Sequence, residues 1–82
     1  MFVMNEQTTY TANAATGKRV RDAIELGGRT QTSVAQKLGV ARSTLSQKLA
    51  GRTAFSTHEV AELSDLLGIS CDYIIKGKGR KA

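Results

Sequence analysis

The spacing of small and apolar residues between positions 31 and 51 constrains this chain more than any other feature. Val34, Ala35 and Leu38 fall on one face of a helix, and Leu45 and Leu49, four apart, on one face of a second. Between the two stands Gly39, where the first helix must stop and the backbone must turn through a conformation that favours glycine. Ala35 is small enough for a crossing helix to pack close against it. The outer side of the second helix is left with Arg42, Ser43, Ser46, Gln47 and Lys48. These are hydrogen-bonding side chains of the kind that read base edges and phosphates. The pattern is that of two short helices packed across a tight turn.

The flanking sequence predicts three more helices around the same seam. A first helix is expected from residue 13 or 16 to residue 26, with Val20, Ala23, Ile24 and Gly27 inward and Gly27 and Gly28 ending it. Thr30 is placed to cap the second helix, which ends at Leu38. The third runs from about Ala41 to Ala50, and Ala41 offers it no side-chain acceptor. Ser56-x-x-Glu59 is a capping box, with Phe55 and Val60 spaced as a hydrophobic staple, so a fourth helix should run from Thr57 to Leu67. Val60, Leu63 and Leu67 face in, and Gly68 terminates it. Ile69 and Ile74 repeat the staple around Ser70, opening a short fifth helix that ends by Gly77. Residues 1–13 are rich in Thr, Asn and Gln and lack helical periodicity. They read as an arm, either frayed or using Phe2, Val3, Met4 and Tyr10 to add a strand or cover a dimer seam. Residues 77–82 read as a mobile, glycine-spaced basic tail. The fold class expected is all-α, one domain over residues 14–76.

With 82 residues and a net charge of +5, the chain has room for one small core and leans towards a polyanionic partner. The distribution of charge says more than the sum. Between residues 27 and 58 the charged side chains are Arg29, Lys37, Arg42, Lys48 and Arg52, with no acid among them. Between residues 59 and 72 they are Glu59, Glu62, Asp65 and Asp72, with no base. A single cysteine, Cys71, cannot form an internal disulfide, and it reads as a small, partly buried residue. His58, the only histidine, reads as a surface residue. No metal cluster, cofactor or small-molecule site is evident. A nucleophile–base pair and a phosphate-cradling glycine loop are also lacking, so enzymatic activity is not expected. No stretch approaches the ~20 apolar residues of a membrane span. A cytoplasmic protein is expected.

Thr30-Gln31-x-x-Val34-Ala35-x-x-Leu38-Gly39-Val40, Arg42-Ser43-Thr44-Leu45-Ser46 and the terminal Gly51 resemble the Cro/C1-type, lambda-repressor-like helix-turn-helix domain. The segment from Leu67 to Ile75 resembles that family's fifth helix. The resemblance spans about Thr16 to Gly77 and implies a compact five-helix domain with the helix-turn-helix at its second and third helices. There are departures. Relatives often carry an arginine and a glutamate, forming an ion pair, where this chain has Ile24 and Leu49. Apolar replacement need not cost stability, because desolvation offsets most of the attraction. The position before Leu49, often apolar in relatives, is Lys48, which would free it for phosphate.

By this resemblance the third helix enters the major groove of double-stranded DNA. Arg42, Ser43 and Gln47 become the expected base readers, with Ser46 secondary. Arg42 would hold guanine O6 and N7, and Gln47 adenine N6 and N7. Gln31 matches a family glutamine that contacts phosphate and braces a reader, here Arg42. Arg29, Thr44, Lys48, Arg52 and Thr53 are expected on the flanking DNA backbone. A chain this short looks like a Cro-type phage or prophage repressor, a homodimer on a pseudo-palindromic operator. Its dimer contacts are expected at Tyr73, Ile74 and Ile75 of the fifth helix, with Cys71 beside them, or else in the arm. The alternative is an antitoxin or adaptor whose main partner is another protein.

Overall fold

A computed structural model describes the backbone of residues 5–80 and the side chains of residues 12–80. The described chain forms five helices: α1 (Asn5–Leu26), α2 (Gln31–Leu38), α3 (Arg42–Leu49), α4 (Thr57–Leu67) and α5 (Cys71–Lys76). The predicted all-α architecture is the observed one. α1 packs against α3, α4 and α5, while α2 packs against α3 and α4, and α4 against α5. One core joins them: Val20, Ala23 and Ile24 from α1, Val34 and Ala35 from α2, Leu45 and Leu49 from α3, Val60 and Leu63 from α4, with Ile69 and Ile74. Leu38, Val40, Phe55, Leu67 and Tyr73 pack on its edge. Both apolar departures, Ile24 and Leu49, lie inside it, 1% and 3% exposed. Gly27, expected to face inward, is exposed.

The helix ends follow local chemistry. Thr30 Oγ1 accepts from Ser33 N–H at 3.0 Å, and Ser56 and Glu59 complete the capping box in both directions. Ser70 caps α5 by accepting from Tyr73 N–H at 2.9 Å. At the end of α2, Gly39 has φ 73°, its N–H reaching Gln36 C=O and that of Val40 reaching Ala35 C=O. This is a Schellman closure, and it aims the chain into α3. Ala41 precedes α3 with extended φ and ψ and no side-chain cap, as its methyl requires.

Three expectations are corrected. α1 starts at Asn5, well before residue 13. Its first turns lack an apolar stripe, but a helix nucleated by a packed segment propagates at the gain of one hydrogen bond per residue. The proposed roles of Phe2, Val3 and Met4 lie outside the described residues, as does the Tyr10 side chain. The tail, expected to be mobile, runs back along α5 as far as Arg80. Ser70 N–H donates to Arg80 C=O at 2.8 Å, the Ser70 hydroxyl donates to Gly79 C=O, and the Arg80 guanidinium lies over the Tyr73 ring at 5.2 Å. Cys71, expected to be partly buried, is exposed at the start of α5.

The close approach of α1 to α3 depends on glycine. A Cβ on Gly17 would collide with the Leu49 carbonyl of α3. Gly51, just after α3, has φ 85°, and a Cβ there would stand 2.5 Å from Ala14 Cα. Two glycines from distant parts of the chain thus let backbone meet backbone, and α3 is seated against α1 with its outer side turned away.

Candidate nucleic-acid interface

α3 buries Leu45 and Leu49 and exposes Ser46 and Gln47 between them. Ser43 and Gln47, four apart, lie opposite the buried pair, flanked by Thr44 and Ser46. Arg42, Ser43, Thr44, Ser46 and Gln47 are all exposed. Every expected base reader therefore stands on one unobstructed surface.

Arg42 is not simply solvated. Its Nη2 donates to Gln31 Oε1 at 3.3 Å, the brace expected from the resemblance. Its Nη1 donates to Thr32 Oγ1 at 3.2 Å, a contact that no sequence pattern signals. Both acceptors open α2, so the helix-turn-helix angle itself decides where the guanidinium sits. A guanidinium only donates, so Gln31 must present its oxygen inward and its amide N–H groups outward. Arg29, Arg52 and Thr53 are exposed at the flanks. Arg52 is held where it is by its N–H, which reaches Gln47 C=O at 3.0 Å as α3 closes on Gly51.

Lys48 does not belong to this surface. Its Nζ lies 2.6 and 2.7 Å from the two carboxylate oxygens of Glu59. Only 15% of the Lys48 side chain and 11% of the Glu59 side chain are exposed. A lysine this buried and paired cannot also reach phosphate, which corrects its expected role on the DNA backbone. Glu59 carries two duties at once: Oε1 accepts from Ser56 N–H at 2.8 Å within the capping box, and both oxygens hold Lys48. Burial pushes its pKa up, but the Lys48 ammonium and the Ser56 N–H outweigh that, and the net shift is downward from 4.5. An ion pair therefore does tie this fold, joining α3 to α4.

The fifth-helix candidates separate. Ile74 is 0% exposed in the core, so it is not available to a second copy; side chains that hold α5 onto the domain are spent inward. Tyr73 is half-buried beneath Arg80, and Ile75 is 55% exposed. Sequence reasoning also missed Arg19, whose Nε and Nη2 donate to the Ile74 and Ile75 carbonyls at 3.1 and 2.8 Å. It closes the C-terminal end of α5 where orphan carbonyls need donors. More than fifty positions separate those partners, so no local pattern points to the contact.

A helix-turn-helix family model matches residues 20–74, most of the chain and all of α2 to the core of α5. The chain belongs to the lambda-repressor-like helix-turn-helix family. Comparison with curated proteins and with solved structures found no match. Proteins of this helix-turn-helix family are DNA-binding regulators, and the family is not typically enzymatic. Among the described residues of this helix-turn-helix chain no cluster of His, Cys, Asp and Glu is arranged to hold a metal ion, and no helix is long and apolar enough to cross a membrane.

Proposed function

We propose that this helix-turn-helix protein is a sequence-specific, Cro-like transcriptional repressor acting in the cytoplasm of a bacterial or phage-infected cell. It binds operator half-sites in the major groove as a dimer and blocks polymerase by occupying the operator. The observation that carries the reading is the braced Arg42 standing beside exposed Ser43 and Gln47 on one side of α3. Arg42 pairs with guanine and Gln47 with adenine, while Ser43 and Ser46 supply single hydrogen bonds. Gln31, Arg29, Thr44, Arg52 and Thr53 hold the flanking phosphates. A second copy seats against the groove of about 400 Å³ between α1, α4 and α5, where Phe55, Val60, Cys71 and Ile75 supply apolar surface. Two-fold symmetry then places the two reading helices about 34–36 Å apart.

Selection of bound sequences from a random duplex pool tests this reading. The expected product is a consensus of two inverted half-sites one helical turn apart. A pool with no consensus contradicts sequence-specific binding. Copurification with a stoichiometric second protein favours the antitoxin or adaptor reading, in which the same apolar groove seats a different chain.

A further inference from the structure

We infer that Thr32, a residue of α2 outside the reading helix, is a positioning residue that sets which base Arg42 recognises. The inference rests on the function proposed above and adds a determinant to it. The Thr32 hydroxyl oxygen accepts from Arg42 Nη1 at 3.2 Å while Gln31 Oε1 accepts from Nη2 at 3.3 Å. One acceptor would leave the planar guanidinium free to rotate about that bond. Two acceptors, on adjacent residues and on different terminal nitrogens, fix its plane.

The neighbouring hydroxyls are committed elsewhere, which makes Thr32 specific to this task. Ser33 Oγ donates to Thr30 C=O at 3.0 Å, and Thr30 Oγ1 accepts from Ser33 N–H. Thr32 stands in the first turn of α2, ahead of any helical carbonyl that its hydroxyl would otherwise bond, and the oxygen turns to Arg42 instead. With one N–H of each terminal nitrogen engaged, Arg42 keeps Nε–H and a second N–H of Nη2 as a two-donor edge. That edge matches the O6 and N7 of guanine. Arginine loses much rotamer freedom on docking, so holding the guanidinium beforehand removes part of that cost. Because Thr32 accepts from Arg42, its own O–H proton remains free to point towards solvent.

The test uses the full chain, the duplex selected by the wild-type protein and its single-base variants. The base pair read by Arg42 is the one whose preference Arg42→Ala abolishes. Thr32→Val keeps the side chain's shape and removes the hydroxyl; Thr32→Ser keeps the hydroxyl. Thr32→Val is expected to lower the guanine preference at that pair by about fivefold, the net worth of one ordinary intramolecular hydrogen bond. Melting temperature and affinity for unrelated duplex should stay unchanged, and Thr32→Ser should retain the preference. In an Arg42→Ala background, Thr32→Val should have no further effect on that pair. If Thr32→Val weakens every duplex by the same factor, or leaves the preference intact, the role assigned to Thr32 is overturned. A wild-type protein that selects no consensus overturns the proposed function, and this role with it; a wild-type consensus that Thr32→Val leaves untouched overturns the role of Thr32 alone.

Discussion

Lys48 and Arg42 are two cations on the same short helix, and their neighbours give them opposite tasks. Lys48 is turned inward onto Glu59, whereas Arg42 is held at the surface by Gln31 and Thr32. Replacing Lys48 by alanine should therefore destabilise the fold by about 3 kcal/mol, since it strands a mostly buried carboxylate. The slope of log affinity against log salt should stay the same. Arg52→Ala should do the reverse, lowering that slope by about 1 with little change in melting temperature. Titration of the pair gives a second check. The Glu59 pKa is lowered on folding, so its stabilising contribution is fully present above the ordinary carboxylate value of 4.5 and is lost as pH falls through the depressed folded value. Denaturant titrations below pH 4.5 should show that loss in the wild type and a flatter acid limb in Glu59→Gln, which starts about 3 kcal/mol less stable near neutrality. The capping box of Glu59 was legible in four consecutive residues, but its hold on Lys48 was not. The partners lie eleven positions apart on different helices, and only packing brings them together.

Helix ends were more legible than helix contacts, because caps are written locally. Thr30, Ser56 and Ser70 cap where their hydroxyls predict, and Gly39 turns where the pattern requires it. The bare N-cap of α3 was legible for the same reason. Ala41→Ser should supply the missing acceptor and raise stability by about 1 kcal/mol, an increase of about 5 °C in melting temperature. The start of α1 was not legible, since the sequence of its first turns carries no apolar stripe for periodicity to register. The seat of α3 against α1 escaped as well. Gly17 sits mid-helix, where sequence alone marks it only as a weak helix former. Its purpose is space for the Leu49 carbonyl. Gly17→Ala, which propensity alone would favour, should instead destabilise by about 3 kcal/mol, because a backbone carbonyl cannot rotate away as a side chain can. Chemical denaturation of that single variant separates the two expectations.

Across the whole molecule, the pairing of Lys48 with Glu59 sharpens the division of charge seen in the sequence. It removes one base from the basic stretch and one acid from the acidic one, leaving Arg29, Lys37, Arg42 and Arg52 in the first and Glu62, Asp65 and Asp72 in the second. A polyanion approaching the α2–α3 side meets exposed cations and hydroxyls. The core that positions this side was predicted nearly residue for residue, because 3.6-residue periodicity reports burial directly. The faces of α5 were less legible: the sequence marks Ile74 and Ile75 alike as apolar, and only the packing of α5 decides that Ile74 faces in and Ile75 out. The central claim is that Arg42 and Gln47 read bases. Its most direct test measures Arg42→Ala and Gln47→Ala against every single-base variant of the selected duplex. Each substitution is predicted to erase about 1–3 kcal/mol of discrimination at one base pair per half-site and leave the other positions as they were. Uniform weakening across all variants would contradict the claim and place both side chains on phosphate.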